Sequence, residues 1–175
     1  MVTGPPGAGK STVAALVVAG FDTAALVPGD AFFSFWSRGA IRPWLTEADE
    51  QNAVALRAAA AAAGTFAAGG CTVVYDGVLG PWHLPVFAEE ARRRGPRGGV
   101  DLHYALLLPS VQQCQQRVAS RIGHGFTDMT ATARMHAAFA GADVEPRHVI
   151  ADPASQPDDI AGLVVQRYAE GLLRY

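Results

Sequence analysis

Hydrophobic residues along this chain form short apolar runs that alternate with longer stretches of helix-forming composition. The apolar runs are rich in β-branched residues and bounded by Gly, Pro or Asp, which is typical of buried strands; they cover 24–27, 71–75, 101–108 and 148–151. Helical stretches are predicted at 10–19, 47–68, 84–94, 110–122, 130–140 and 157–173. Because strand and helix alternate, the pattern predicts an α/β fold with a parallel sheet covered by helices on both faces.

The organisation of the chain predicts one domain over residues 1–175. A length of 175 residues suits one domain of ordinary size, and no repeat or long linker divides it. The alanine run 58–63 continues a helix-forming window and is predicted to be a tightly packed helix. A parallel sheet of this kind needs a strand before the glycine-rich segment that begins at residue 4, and only residues 1–3 can form it. We therefore expect either a very short first strand or a natural start that lies upstream.

The charge and cysteine content argue against several classes of function. With 17% charged residues and a formal net charge of −2, the chain lacks the positive charge of a general nucleic-acid binder. The arginines at 92–94 and 97 are interpreted as the solvated end of a helix, with an anion-binding patch as the alternative. Cys71 and Cys114 lack CxxC spacing, so neither a disulfide framework nor a zinc site is indicated. Without a signal peptide or an apolar stretch of about 18 residues, we expect a cytoplasmic protein with no membrane partner.

One motif predicts phosphate binding. Residues 4–11, GPPGAGKS, match G-x-x-x-x-G-K-[ST] in full, a P-loop whose glycines let backbone N–H groups approach phosphate oxygens at a helix N-terminus. Lys10 can reach the β- and γ-phosphates and the Ser11 hydroxyl can ligate Mg²⁺. Lys10 is the only lysine beside thirteen arginines, and the planar guanidinium of arginine cannot replace a compact ammonium there. The predicted nucleotide-binding residues are Gly4, Pro5, Pro6, Gly7, Ala8, Gly9, Lys10, Ser11 and Thr12.

Other residues narrow the choice among P-loop activities. Common guanine-binding proteins use an N-K-x-D element, and this chain has no second lysine and only one asparagine, Asn52. Mechanical ATPases usually close a strand with an acidic pair, whereas the strand ending at Asp76 offers a single carboxylate. The remaining features favour a kinase that uses ATP and Mg²⁺.

Two aspartates follow predicted strands, at the carboxyl edge of the sheet where open α/β folds bind ligands. Asp30 can accept the proton of an incoming hydroxyl or orient Mg²⁺ through water; the alternative is that it caps a helix starting near Ala31. Asp76 is predicted to contact Mg²⁺ or substrate, with a turn residue before Gly77 as the alternative.

A pair of arginines and the loop after it predict a lid over about 117–135. Arg117 and Arg121 are spaced i, i+4, so both guanidinium groups can approach transferring phosphates; a solvated helix face is the alternative. The segment 123–127, GHGFT, reads as a loop that can exclude water on closing. His124 is interpreted as a loop polar group or substrate contact.

The order GPPGAGKST, PGDAFF, VVYDG and then the arginine pair with GHGF resembles small-molecule kinases of the P-loop fold. Within this fold it resembles especially gluconate kinase and chloramphenicol phosphotransferase-like proteins, and it also resembles uncharacterised bacterial ATP-binding proteins. The resemblance implies a three-layer fold with a five-stranded parallel sheet in the order 2-3-1-4-5 and a small lid. It also implies that Asp30 acts on the substrate hydroxyl, that Arg117 and Arg121 contact phosphates, and that the loop 152–157 holds adenine.

The chain departs from gluconate kinases in the aromatic residues that follow its two strand-end aspartates, namely Phe32, Phe33, Phe35, Trp36, Trp44 and Trp82. Aromatic rings at a ligand edge favour a substrate with a planar or apolar face. A hydrophobic core is the alternative for most of them, with Trp36 and Trp82 as exceptions, while Arg38 and Arg42 would suit an anionic group. The candidate substrate residues are Asp30, Phe33, Trp36, Arg38, Asp76, Trp82 and His124.

The sequence thus predicts an ATP-dependent phosphotransferase that moves the γ-phosphoryl group to a hydroxyl of a small molecule, whether antibiotic-like, nucleoside or sugar acid. Its predicted catalytic residues are Lys10, Asp30, Arg117 and Arg121, with Mg²⁺ held by Ser11 and Asp76. A nucleotide-dependent switch is one alternative. A polynucleotide 5′-kinase is another, and the slightly acidic chain argues against it.

Overall fold

A central parallel sheet organises the chain. The computed structural model describes residues 1–94, 99–120, 126–151 and 156–175. Its strands are β1 (Val2–Thr3), β2 (Ala24–Pro28), β3 (Thr72–Gly77), β4 (Ala105–Leu107) and β5 (Val149–Ile150). All four strand pairings are parallel, in the order β2-β3-β1-β4-β5. The predicted order 2-3-1-4-5 and the very short first strand are confirmed.

Helices connect the strands and cover both faces of the sheet. They are α1 (Lys10–Val18), α2 (Gly29–Phe33), α3 (Asp49–Ala68), α4 (Leu84–Arg94), α5 (Val111–Ala119), α6 (Met129–Ala140) and α7 (Pro157–Ala169). Short 3₁₀ turns lie at Thr46–Ala48, Pro81–His83 and Pro146–His148. Among the described residues, no helix is both long and apolar enough to cross a membrane.

Local capping explains where several helices begin. Ser110 caps α5 through a reciprocal capping box with Gln113, and the Asp128 carboxylate accepts from the Ala131 amide at the start of α6. The ends differ from prediction. Helix α5 ends at Ala119 instead of residue 122, and α7 ends at Ala169, followed by Gly171 in the left-handed region.

Two apolar layers fill the space between the sheet and its helices. On one face, Val27 and Tyr75 of the strands belong to a cluster with residues of α3, α4 and α6, including Leu56, Phe87 and Phe139. On the other face, Val74 and Leu107 belong to a cluster with residues of α1 and α7. Alternation along the strand explains why neighbouring residues of β3 enter different clusters.

The predicted solvated end of α4 is also present. Arg93 and Arg94, in its last turn, are exposed and pair with Glu89 and Glu90 one turn earlier. Arg92 is exposed as well, and Arg97 lies outside the described residues.

Strand register brings three chain segments to one edge. Val2 is level with Asp76, and Pro28 is level with the same aspartate from the other side. The segments that follow β1, β2 and β3 therefore leave the sheet side by side. Two hydrogen bonds join the end of β1 to the segment after β3. Thr3 Oγ1 donates to the Leu79 carbonyl and accepts from the Leu79 amide, both at 2.9 Å.

The loop between α2 and α3, residues 34–48, is fixed by side chains from two helices. The Gln51 amide bridges it twice: its Oε1 accepts from Ile41 N at 3.0 Å and its Nε2 donates to Gly39 O at 2.8 Å. From α6, the Arg134 guanidinium donates to the Trp44 carbonyl. These bonds hold a loop that carries little regular structure of its own, and we call it the α2–α3 loop.

Two helical glycines, Gly64 and Gly162, differ in the space around them, and this difference tests the packing of α3 against α4. A Cβ on Gly64 of α3 would lie 2.3 Å from the Ala91 carbonyl of α4, so Gly64→Ala is expected to destabilise the fold by about 1 to 3 kcal/mol. A Cβ on Gly162 of α7 would meet nothing within 4 Å, so Gly162→Ala is expected to stabilise by about 0.4 to 1 kcal/mol. Urea unfolding of both variants measures the difference; equal effects would contradict the close α3–α4 packing.

Gln51→Ala is expected to loosen the α2–α3 loop, because both bridging bonds are lost. Amide hydrogen exchange of a peptide covering 39–45 should become faster, with a loss of about 1 kcal/mol in global stability. Gln112→Ala, an exposed glutamine in α5, is the control and should leave that peptide unchanged. Unchanged exchange in Gln51→Ala would show that the loop is held by other contacts.

Candidate functional site

The glycine loop at residues 4–9 joins β1 to α1 and has the backbone shape of an anion cradle. Gly7 and Gly9 have φ values of +80° and +94°, which side-chain-bearing residues rarely adopt. At Gly7 space is a second reason, because a Cβ would lie 2.2 Å from the Cys114 carbonyl. Gly9 is the N-cap of α1, so the loop leads into the positive end of a helix dipole. These features fit a bound phosphate group.

Lys10, the first residue of α1, turns back across this loop. Its side chain is 8% exposed and its ammonium donates to the Pro5 carbonyl at 3.2 Å. Ser11 and Thr12 follow on the exposed first turn of the same helix. The structure thus sets an ammonium and two hydroxyl groups at the loop, as phosphate and Mg²⁺ binding would require.

Asp76 lies within β3 and is 9% exposed, so the alternative reading as a turn residue is wrong. Its register with Val2 sets it beside the end of β1, where the glycine loop begins. A hydroxyl from Ser11 and a carboxylate from Asp76 are hard oxygen ligands of the kind that Mg²⁺ takes together with water and phosphate oxygens. Within the described ranges, no group of three His, Cys, Asp or Glu side chains forms a protein-only metal cluster.

Asp30 is the second residue of α2 and is exposed. Pro28 holds the N-cap position and no side chain makes a capping bond, so the reading of Asp30 as a helix cap is wrong. Its carboxylate forms no hydrogen bond or ion pair with any residue that the structure describes. Both aspartates nevertheless lie near one buried group: burial and then the charges of Asp30 and Asp76 raise the pKa of Tyr75.

Arg117 of α5 reaches the glycine loop. Its Nη1 donates to the carbonyls of Gly7 at 3.4 Å and Ala8 at 3.5 Å, which are long bonds. Although its side chain is exposed, Arg117 is more than a solvated helix face, because its cation lies on the loop.

The rest of the predicted lid is described only in part. Arg121 and His124 lie outside the described residues, and α5 ends before Arg121, so the expected helical pair is not part of the described structure. The start of α6, which lies within the predicted lid range, is joined to the middle of α5 by a bond from Gln115 Nε2 to the Met129 carbonyl at 3.2 Å. Most of the predicted adenine loop, 152–155, also lies outside the described residues.

A cavity of about 240 Å³ opens beside α2, and its lining includes Phe33, Trp36, Ile41 and Arg42. Phe33 also packs against the core and is only three residues beyond Asp30. The Arg42 guanidinium lies 6.0 Å from the Trp44 ring centroid. The α2–α3 loop thus offers apolar rings beside a cation. A larger cavity of about 270 Å³, at the opposite end of the sheet, is lined mainly by core side chains.

The other aromatic residues divide between core and surface. Phe32 packs against the core, as the core alternative predicted, whereas Phe35 is 71% exposed. Trp82 is 52% exposed and its ring lies 5.5 Å from that of Phe139. Arg38 is exposed and has no hydrogen bond or ion pair among the described residues, so the structure does not join it to the other candidate substrate residues.

Several contacts at this edge were missed by sequence reasoning. Gln51, just after the α2–α3 loop, and Arg134, distant from it in sequence, both fix this loop. The Trp44 ring also meets Phe126 edge to face at 4.8 Å. Gln51 gave a faint signal as a polar residue in the first turn of an alanine-rich helix. Arg134 gave none. The catalytic, nucleotide-binding, metal-binding and substrate-binding roles predicted for the site residues stay predictions.

No protein-family model matches the chain, and no curated protein matches it. Among solved structures, the chain is similar to a sugar kinase from Janibacter sp. HTCC2649 in unliganded form, with 21% identity over 95% of this chain and 90% of that one, and a TM-score of 0.62. It is also similar to a tunicamycin resistance protein from Deinococcus radiodurans, with 14% identity over 98% of this chain and 94% of that one, and a TM-score of 0.61. At these identities the likeness establishes the fold.

Proposed function

We propose that this chain is an ATP-dependent phosphotransferase that moves the γ-phosphoryl group to a hydroxyl of a small molecule. The observation that carries the proposal is the arrangement at one sheet edge, where a glycine loop with Lys10 and Arg117 lies beside the strand ends that carry Asp30 and Asp76. Cations that attract phosphates and a carboxylate that attracts a hydroxyl proton are the two requirements of phosphoryl transfer. The names of the two structural neighbours, a sugar kinase and a tunicamycin resistance protein, are compatible with this class of chemistry.

The nucleotide side of the proposal uses the loop and α1. Loop amides and the Lys10 ammonium would hold the phosphates, while Ser11 and Asp76 would hold Mg²⁺. When bound, the metal supplies positive charge to the phosphate oxygens. Arg117 is already on the loop and would stabilise the charge that develops during transfer, with Arg121 in the same role.

The acceptor side of the proposal uses Asp30 and the cavity beside α2. The Asp30 carboxylate is exposed and has no hydrogen-bond partner in the described part of the chain, so it is available to accept the acceptor's proton. The apolar rings of Phe33 and Trp36 favour an acceptor with a flat or apolar face, and Arg42 suits an anionic group on it. An antibiotic-like molecule, a nucleoside or a sugar acid would each meet part of this description.

Asp30→Asn is expected to lower acceptor phosphorylation about 100-fold or more, because the amide cannot take the proton, while Mg·ATP affinity stays close to that of the wild type. Steady-state kinetics and calorimetric titration measure the two quantities. Asp22→Asn is a matched control, since Asp22 is exposed near the opposite end of β2. Full phosphotransferase activity in Asp30→Asn would remove the assignment of this residue as the base.

The direct test is ADP release from Mg·ATP across a panel of sugar acids, nucleosides and hydroxyl-bearing antibiotics, with Lys10→Ala as the inactive control. One acceptor should raise turnover by orders of magnitude in the wild type and have no effect in the control. Slow hydrolysis that no acceptor accelerates would instead indicate a nucleotide-dependent switch, and turnover stimulated only by oligonucleotide 5′ ends would indicate a polynucleotide kinase.

A further inference from the structure

Tyr75 has a buried hydroxyl with no hydrogen-bond partner in the described part of the chain. The side chain is 1% exposed, and its ring meets that of Phe87 at 4.8 Å in an edge arrangement. Phenylalanine would fill the same space without burying an unsatisfied polar group, which costs stability. The packing of the ring therefore does not explain why this position carries a hydroxyl.

The hydroxyl lies between two glycines. A Cβ on Gly29 or on Gly77 would come within 2.4 Å of the Tyr75 oxygen, so neither position has room for a side chain. Neither glycine has a positive φ, so space and not backbone conformation requires them. Because Gly29 precedes Asp30 and Gly77 follows Asp76, the hydroxyl lies close to the backbone of both strand-end aspartates.

The geometry separates the two carboxylates. Tyr75 belongs to the core cluster beneath α3 and α4, whereas its neighbour Val74 belongs to the cluster on the α1 face. Alternation along β3 therefore directs Asp76 to the α1 face, away from the tyrosine. Helix α2 is on the tyrosine's face, because Phe32 and Phe33 pack against the same cluster as Tyr75.

The electrostatic environment fits this arrangement. Burial first, and then the charges of Asp30 and Asp76, raise the pKa of Tyr75. A phenol hydroxyl in any case carries its proton at neutral pH, so the Tyr75 hydroxyl is a donor. Asp30 has acceptor capacity that no described residue uses. Among the described residues, a buried donor without an acceptor thus lies close to the backbone of an aspartate whose exposed carboxylate has no donor.

We propose that Tyr75 is a positioning residue whose hydroxyl donates to the Asp30 carboxylate once nucleotide occupies the glycine loop. The proposed bond requires the exposed Asp30 side chain to rotate towards the hydroxyl. One carboxylate oxygen is then fixed by the tyrosine while the other faces the acceptor hydroxyl. This inference rests on the proposed phosphotransferase function.

Tyr75→Phe tests the proposal by kinetics. The variant should lower kcat for acceptor phosphorylation about ten- to a hundredfold, the effect expected for a hydrogen bond to a charged group, with the KM for ATP unchanged. Its thermal stability should equal or exceed that of the wild type, since the unsatisfied hydroxyl is gone. Tyr104→Phe is the matched control: Tyr104 is equally buried, but its hydroxyl donates to the Leu79 carbonyl at 3.2 Å. It should lose stability and keep kcat.

A double-mutant cycle identifies the partner. If Tyr75 acts through Asp30, Tyr75→Phe has no further effect in the Asp30→Asn background. An equal loss in both backgrounds, or weakened Mg²⁺ activation that would point to Asp76, overturns the proposal. A kcat of Tyr75→Phe equal to that of the wild type would also overturn the positioning role. The partner of the Tyr75 hydroxyl would then be a buried water.

An acceptor-free measurement separates this inference from the proposed function. With ¹³C-labelled aspartate, the Asp30 carboxyl resonance is assigned by its loss in Asp30→Asn and followed at one neutral pH, with Mg²⁺ and a non-hydrolysable ATP analogue present. Tyr75→Phe should move this resonance and Tyr104→Phe should not. An unmoved resonance in Tyr75→Phe overturns the hydrogen bond. Failure of every acceptor in the panel rejects only the kinase proposal.

Discussion

The glycine loop between β1 and α1 is held so tightly by neighbouring backbone that it has no room for side chains at two of its positions. A Cβ on Gly4 would lie 2.2 Å from the Leu107 carbonyl at the end of β4, and one on Gly7 would lie 2.2 Å from the Cys114 carbonyl of α5. The loop is therefore a packing centre for the sheet edge as well as a candidate anion cradle. This helps to explain how the central strand β1 can be only two residues long: the loop that follows it is fixed from both sides, and Thr3 is tied to Leu79.

Sequence analysis predicted the structure correctly where the signal is local, or where the resemblance to a known family supplied the order of the strands. The bounds of α4 were predicted because its helical composition has a clear start and end, and the sheet order came from the resemblance. The predicted strand 101–108 was too long, since β4 comprises only Ala105–Leu107. Its two neighbours, β1 and β5, have two residues each, so the parallel ladder is short. Leu102 and Tyr104, before β4, instead bond to the backbone of Tyr175 and Leu173. The length of this strand depends on its neighbours in the sheet, which hydrophobic periodicity in the sequence does not reveal.

The contacts that position the candidate site lie outside the range of pattern analysis. The sequence marks Asp30 and Asp76 because each closes an apolar run, but it does not reveal that Tyr75 fills the space between Gly29 and Gly77. Both glycines look like turn residues in the sequence. In the structure each has an ordinary φ and is small because a hydroxyl lies against it. Only the folded chain distinguishes a glycine required by conformation from one required by space.

One set of helices holds both sides of the site. Helix α5 carries Arg117 onto the glycine loop, and α6 packs against α5. From α6, Arg134 bonds to the Trp44 carbonyl, while the Trp44 ring meets Phe126 just before that helix. The Arg117 cation on the glycine loop and the aromatic α2–α3 loop are thus fixed to the same helical pair. A site built on shared rigid elements keeps its reacting groups in register, which is what in-line transfer between two bound molecules requires.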